Sequence, residues 1–115
     1  MTGKKSVEDH LPLSAAHFHV LLSLTDGPMH GYGVKREVEE RTDGRIRLAA
    51  GSLYEGIQRL QRKELISEAP APEDPGAKGS SRWRFYGITP LGRQVLRAEL
   101  ARLEADIAIA RAKVG

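Results

Sequence analysis

The fold of this chain is decided by residues 48–66, LAAGSLYEGIQRLQRKELI, which predict one helix with two unlike faces. Leu53, Ile57 and Leu60 recur at i, i+4 and i+7 and form a narrow apolar stripe. The opposite side carries the polar residues Glu55, Gln58, Arg59 and Arg62. Because Ser52 has a hydroxyl near the start of the run, Gly51-Ser52 is expected to cap the helix. One face is thus predicted to pack, and the other is free to contact a partner.

Two further helices are predicted upstream. Residues 13–24 are mostly apolar with Ser14 as a candidate N-cap, and the Asp-Gly-Pro sequence at 26–28 is a strong helix breaker. A second helix is predicted over residues 30–41. Its buried side is expected to carry Tyr32, Val34 and Val38. Residues 46–48 then alternate apolar and charged over so short a run that they predict only a very short strand.

A β-hairpin is predicted after the third helix. Residues 65–69 predict one strand, and residues 82–88, which are rich in β-forming side chains, predict a returning strand. The connection at 70–81 contains three prolines and two glycines. These two strands therefore predict a hairpin with a long tip.

A long helix is predicted to follow the hairpin. Thr89 is a candidate N-cap, and Pro90 suits the first helical position. Over residues 91–114 an apolar residue recurs at spacings that alternate between four and three, which is typical of a heptad seam. The seam consists of Leu96, Leu100, Leu103, Ile107, Ala110 and Val114.

The order of these elements predicts a mainly α fold with a small β-hairpin, a winged helix-turn-helix followed by a long C-terminal helix. We expect a flexible N-terminal arm over residues 1–12, the winged domain over 13–88 and a dimerisation helix over 89–115. In this architecture the third helix enters the major groove of DNA, and the hairpin is the wing that reaches the backbone or the minor groove.

Composition narrows the functional classes. The 115 residues include no cysteine, which excludes disulfides, thiolate metal sites and thiol nucleophiles. No apolar run approaches the roughly 18 residues of a membrane span, and the first ten residues lack the apolar core of a signal peptide. We therefore expect a cytoplasmic protein without a membrane partner. A net charge of +3 permits nucleic acid as a partner without requiring it.

Catalytic and metal-binding patterns do not stand out. The chain has no phosphate loop, no paired catalytic carboxylates on a stable framework and no Ser/His/Asp arrangement, so an enzyme is not expected. His17 and His19 are two positions apart on a helix and face different directions, which disfavours a metal site. His30 is expected to begin the second helix instead. The sequence thus predicts neither a metal nor a cofactor.

Four short motifs give the chain a family resemblance. They are Gly-Pro-Met-His-Gly-Tyr at 27–32, Gly-Ser-Leu-Tyr at 51–54, the segment from Leu60 to Leu65-Ile66, and Arg-Phe-Tyr-Gly-Ile-Thr at 84–89 leading into Leu91-Gly92. In this order and spacing the chain resembles the PadR-like family of bacterial transcriptional regulators over about residues 13–103. The resemblance implies a dimeric DNA-binding repressor or regulator. It is closest to the short form, in which a single C-terminal helix forms the dimer.

Candidate DNA-contacting residues follow from the winged-helix interpretation. Gln58 is predicted to hydrogen-bond adenine and Arg59 to contact guanine or phosphate, while Ser52 and Tyr54 are predicted to fix register on phosphates. The full set is Ser52, Tyr54, Gln58, Arg59 and Arg62, with Lys35 and Arg36 from the second helix and Arg82 and Arg84 from the wing. Glu55 departs from the family pattern, which often has proline there. It either reads a cytosine amino group or pairs with Arg59.

The heptad seam has two interpretations. It is either intramolecular core or a dimer contact, and a single terminal helix in so small a domain has few places to bury it, which favours a homodimer. A two-fold dimer predicts an inverted-repeat operator with half-sites about 10 bp apart, centre to centre. A rival hypothesis is a winged-helix module that binds protein and not DNA. A third adds a small-molecule effector bound between the subunits, where the terminal helices meet the first helices.

Overall fold

The computed structural model describes residues 6–71 and 84–115 and has the winged-helix order predicted from the sequence. The helices are α1 (Ala15–Ser23), α2 (Gly31–Arg41), α3 (Ala50–Arg62) and α4 (Pro90–Val114). The strands are β1 (Met29–His30), β2 (Ile66–Ala69) and β3 (Phe85–Ile88), and short 3-10 helices span Val7–His10 and Leu24–Asp26. The fold is therefore mainly helical with one small antiparallel sheet, as predicted.

The starts of α1 and α4 agree with the sequence, and the start of α3 differs from it. The Ser14 hydroxyl accepts the N–H of His17 at 3.1 Å, and the Thr89 hydroxyl accepts the N–H of Gly92 at 2.9 Å, so both predicted caps are confirmed. Helix α3 begins earlier than expected, with Ala49 as its N-cap and no side-chain cap. The prediction that Gly51-Ser52 caps this helix is wrong, because both residues lie inside its first turn.

The sheet contains a strand in an unexpected place. Its order is β1-β3-β2, with Met29 opposite Tyr86 in one ladder and Ile66 opposite Ile88 in the other. The β2–β3 hairpin was predicted, but the very short strand predicted at 46–48 is wrong. There the Thr42 hydroxyl accepts the N–H of Ile46 at 3.1 Å, so a side chain satisfies this backbone group without a partner strand.

The core joins all four helices to the sheet. The α3 stripe predicted from the sequence is fully buried, with Leu53, Ile57 and Leu60 between 0 and 3% exposed. The other helices and the sheet contribute Val20, Leu21, Leu24, Val34, Val38, Leu65, Ile66, Tyr86, Val95 and Leu96. Because burying each such side chain stabilises the fold by about 1.5–3 kcal/mol, this cluster fixes the orientation of α3.

The segment before α1 packs against α4. His10 is buried, and the N–H of Leu13 donates to the Glu99 carboxylate at 3.2 Å. The carboxylate also pairs with Arg102, whose Nε lies 2.7 Å from it. Residues 7–10 of the arm predicted over 1–12 form a 3-10 helix in this segment, and the flexibility of the arm stays a prediction.

Helix α4 changes character along its length. Leu96 is 5% exposed in the protomer core, so the first position of the predicted seam serves intramolecular packing. Farther along, Ile107 is 50% and Val114 85% exposed, and every residue from 104 to 115 is exposed. Within residues 6–71 and 84–115, no helix combines the length and apolar character needed to cross a bilayer.

Candidate nucleic-acid interface

The polar face of α3 points directly away from the core. With about 100° between successive residues, burial of Leu53, Ile57 and Leu60 turns Glu55 and Arg62 outward at the centre of the opposite face. Tyr54 and Gln58 lie along one edge of that face, and Ser52 and Arg59 lie along the other; all six polar side chains are exposed. The structure thus brings together every predicted α3 site residue on one surface.

Tyr54 is held against the start of α2. A Cβ built on Gly31 would lie 2.8 Å from the Tyr54 hydroxyl oxygen and 2.9 Å from two ring carbons, so only glycine admits the ring at this distance. The Tyr54 side chain is still 47% exposed. The side chain is therefore positioned by packing against α2 and remains partly accessible to a partner.

A cleft of about 670 Å³ opens beside Tyr54, between α2, α3 and β3. It is lined by His30, Gly31, Tyr32, Tyr54, Gln58, Arg84 and Tyr86. The cleft joins two predicted α3 residues to the predicted wing residue Arg84. It also brings in side chains from the start of α2 that the sequence did not assign to a site.

His30 organises the α2 side of this cleft. Its Nδ1 accepts the N–H of Gly33 at 3.0 Å, which caps α2. Its ring meets Phe85 edge to face at 5.3 Å and lies parallel to the Tyr32 ring at 6.4 Å. Burial lowers the pKa of His30, which favours the neutral ring that the cap requires. As predicted, His30 begins the second helix.

Tyr32 was expected to be buried, and that prediction is wrong. The residue is 56% exposed, and the Arg36 guanidinium lies 6.0 Å from its ring centroid. The spacing in the sequence already indicated this exposure, because Tyr32 precedes Val34 by two positions, which is about 200° around a helix. Val34 and Val38 share the buried face, so Tyr32 points outward.

Most of the predicted cationic contacts have an acidic neighbour. Lys35 Nζ lies 2.8 Å from Glu39, and Arg36 lies 3.6 Å from Glu40. Two further pairs are Arg59 with Glu55 at 3.5 Å and Arg84 with Glu68 at 3.6 Å. Because exposed pairs contribute only about 0.2–1 kcal/mol, phosphates can displace these carboxylates. Among the described residues, no carboxylate lies within 4 Å of the Arg62 guanidinium.

The edge of α3 that carries Ser52 and Arg59 lies next to α1. A Cβ built on Gly56 would lie 3.6 Å from Cδ2 of His17, so this imidazole sits against the helix. Burial, and then the charges of Lys63 and Arg59, lower the pKa of His17. The neutral ring therefore supports the basic edge of α3 without adding charge to it.

Two arginines that the sequence did not assign lie in the connection from α2 to α3. Arg45 and Arg47 are exposed, and Arg47 Nε donates to the carbonyl of Gly44 at 3.3 Å. The presence of two arginines within three residues could have indicated this site from the sequence.

The predicted contact Arg82 lies outside the described residues. Across 6–71 and 84–115, no three His, Asp or Glu side chains are grouped to hold a metal ion.

The chain was compared with known protein families. The model of the transcriptional regulator PadR-like family matches residues 20–98, a span that includes α2, α3, the sheet and the start of α4. The chain belongs to the PadR-like family of transcriptional regulators. The resemblance drawn from the four sequence motifs is thereby confirmed.

The chain is also similar to a known relative and, in its fold, to solved structures. An uncharacterised 37.1-kDa protein of transposon TN4556 from Streptomyces fradiae is 38% identical over 95 residues, which are 80% of this chain; the chain spans 25% of that relative's length. A PadR family transcription regulator from Clostridium difficile R20291 superposes with a TM-score of 0.73 at 20% identity, covering 89% of this chain and 100% of its own. Bacillus subtilis PadR, solved in complex with operator DNA, gives 0.62 at 18% identity, covering 77% and 48%.

Proposed function

We propose that this PadR-like chain binds double-stranded DNA of defined sequence as a cytoplasmic homodimer and represses transcription. The observation that carries the proposal is the α3 surface, where a buried apolar stripe turns Gln58, Arg59 and Arg62 outward together. A winged helix presents this surface to the major groove. The operator complex of the related Bacillus subtilis PadR supports the same partner for this chain.

Roles on DNA follow from side-chain chemistry. Gln58 presents an amide that matches adenine, and Arg59 and Arg62 present guanidinium groups that match guanine or phosphate. A good bidentate base contact contributes about 1–3 kcal/mol of discrimination. Ser52 and Tyr54 set the register on phosphates. Arg84 reaches the backbone from the wing.

Helix α4 supplies the dimer contact in this proposal. Leu100, Ile107 and Val114 are 43 to 85% exposed and share one side of the helix with Leu103 and Ala110. Pairing this side with a second copy removes the apolar surface from water, at about 25 cal/mol per Å². A two-fold dimer places two α3 helices about one DNA turn apart, so the operator is an inverted repeat.

We also propose release by an effector, here at a cleft within one protomer, and the site between the subunits that the sequence predicted stays a prediction. A cleft of about 940 Å³ lies between the Val7–His10 segment, the end of α3 and the start of α4. Arg62, Lys63 and Glu64 line it together with Leu91 and Gln94. The two cations outnumber the one carboxylate among these side chains, which suits a small anionic molecule with an apolar body. Such a molecule engages Arg62 and withdraws it from DNA.

Salt-dependent binding of labelled duplex DNA tests the proposal. Contact with several phosphates makes affinity fall steeply as salt rises, whereas a module that binds only protein shows no such binding. Arg59→Ala and Arg62→Ala are expected to weaken binding at least fivefold without changing the melting temperature. Arg97→Ala, at an exposed position on α4, is the matched control. Unchanged affinity in both α3 variants overturns the assignment of α3.

A further inference from the structure

The cleft between α2, α3 and β3 combines aromatic ring faces with hydrogen-bond donors. We infer that it seats one phosphodiester and the adjoining deoxyribose of the DNA backbone, and that Tyr32 is a contact residue there. This inference rests on the proposed DNA binding and specifies which part of the duplex occupies the cleft. The cleft adjoins the polar face of α3. When α3 lies in the major groove, a DNA backbone strand that borders this groove passes the opening of the cleft.

Two donors in the cleft suit a phosphate. The Tyr54 ring and hydroxyl lie close to Gly31, and the residue is 47% exposed. The Arg84 side chain, which is 73% exposed and immediately precedes β3, lines the same cleft. Hydroxyl and guanidinium groups are the usual donors to phosphate oxygens in protein–DNA complexes. The two groups come from different elements, so they clamp a phosphate between α3 and the wing.

The ring of Tyr32 provides a surface for the sugar. The imidazole of His30 is nearly parallel to this ring, at an angle of 6° and a centroid distance of 6.4 Å. His30 is itself held by the N–H of Gly33 and by the edge contact with Phe85. Tyr32 is thus an exposed aromatic side chain that lines the cleft, and a deoxyribose can pack against its ring.

Gln58 connects this seat to base recognition. It lines the cleft and follows Tyr54 by one helical turn, so the two side chains are neighbours on α3. A phosphate held by Tyr54 thereby fixes how far Gln58 enters the groove. The phosphate seat therefore positions Gln58 for base recognition and has no sequence preference of its own.

Glu68 opposes occupancy of the seat. Its carboxylate lies 3.6 Å from Arg84, and both side chains are exposed. A phosphate must displace this carboxylate to take the guanidinium. Glu68→Gln is therefore expected to strengthen binding to operator and unrelated DNA by the same factor, about threefold to fivefold.

Neutral backbone substitution tests the seat directly. Methylphosphonate is placed at one phosphate at a time in a duplex to which the wild-type protein binds, and dissociation constants are measured for wild type, Tyr54→Phe, Tyr32→Ala and Arg84→Ala. At one position per half-site, methylphosphonate is expected to lower the DNA affinity of the wild type about tenfold. At that position the affinities of Tyr54→Phe and Arg84→Ala should fall much less, because each variant already lacks one contact to the phosphate. Tyr32→Ala should weaken all duplexes, modified or not, by one common factor.

Specificity separates the seat from base readers. Tyr54→Phe, Tyr32→Ala and Arg84→Ala are expected to weaken operator and unrelated duplexes equally, and Arg84→Ala to lower the salt slope by about 1. Gln58→Ala should weaken only the operator. The proposed seat is contradicted if the wild type binds DNA but no methylphosphonate position affects it more than it affects Tyr54→Phe and Arg84→Ala. It is also contradicted if these variants weaken binding to the operator alone. Absence of wild-type DNA binding overturns the proposed function itself. Melting curves establish that each variant is folded.

Discussion

The guanidinium of Arg59 lies 3.5 Å from the carboxylate of Glu55, one turn earlier on α3. The pairing predicted as one of two roles for Glu55 is thus present in the protein alone. Both side chains are more than half exposed, so the pair contributes little to stability. Glu55 lies at the centre of the outward face, where a carboxylate repels phosphates and competes for Arg59. Discrimination between operator and other DNA is therefore expected to depend on this pair.

Glu55→Gln removes the negative charge at nearly constant shape. It is expected to raise affinity for unrelated duplex DNA about threefold to tenfold, with a smaller gain on the operator, because Arg59 becomes free to bind any phosphate. Titrations of both duplexes at several salt concentrations measure the effect, with Glu104→Gln on α4 as the control. Equal affinity of wild type and Glu55→Gln for unrelated DNA would show that the carboxylate does not restrain binding.

Gly31 and Gly33 form a matched pair in the first turn of α2. A Cβ on Gly31 would collide with the Tyr54 ring, whereas one on Gly33 would meet His30 at an ordinary 3.5 Å. Gly31→Ala is therefore expected to displace Tyr54 and weaken DNA binding about tenfold, and Gly33→Ala to leave it within twofold. Anisotropy titrations compare the two. A similar loss in both variants would remove the proposed role of the Tyr54 position.

A second glycine pair tests the packing of α4. A Cβ on Gly92 would overlap the carbonyl oxygen of Leu65, which is backbone and cannot turn aside, whereas Gly51 on α3 has open space around it. Gly92→Ala is expected to destabilise the fold by about 3 kcal/mol. Gly51→Ala should stabilise it by about 0.5–1 kcal/mol, since alanine favours a helix. Denaturant unfolding measures both, and a stable Gly92→Ala would contradict this contact.

Glu99 connects pH to the stability of the junction between the N-terminal segment and α4. The carboxylate is 2% exposed, and its hydrogen bond with Arg102 lowers the pKa of Glu99 although burial alone would raise it. A carboxyl with a lowered folded pKa stabilises the fold fully above its unfolded value of about 4.3. That contribution is lost as pH falls through the folded pKa.

Glu99→Gln isolates this contribution. At pH 7 the variant is expected to be less stable by about 1–3 kcal/mol, because a charged hydrogen bond becomes a neutral one. The gap between wild type and variant should narrow as pH falls from 5 to 3. Unfolding free energies at each pH measure it, with exposed Glu104→Gln as the comparison. A gap that does not change with pH would contradict the lowered pKa.

Local patterns in the sequence predicted those parts of the fold that depend on neighbouring residues. The spacing of Leu53, Ile57 and Leu60 gave the buried stripe of α3, and the Thr89-Pro90 pair gave the start of α4. These signals lie within one or two helical turns. The polar face of α3 followed from the stripe as its complement.

Three features that depend on distant residues were not predicted. Strand β1 has two residues, and it exists because Met29 and His30 meet β3 more than fifty positions later. The N-terminal segment is held by Glu99, which is 86 positions from Leu13. Likewise, the cleft needs α2, α3 and β3 together, so no local pattern could assign Tyr32 and His30 to it.

The central claim is that two copies of α3 read DNA with two-fold symmetry. Selection of bound sequences from random duplex DNA tests it most directly, because one result reports binding, symmetry and spacing. The expected outcome is an enriched inverted repeat with half-sites about 10 bp apart, centre to centre. An Ile107→Asp variant, which places charge in the proposed dimer contact, should lose this enrichment while remaining folded. Enrichment of no sequence, or of a single asymmetric site, would contradict the claim.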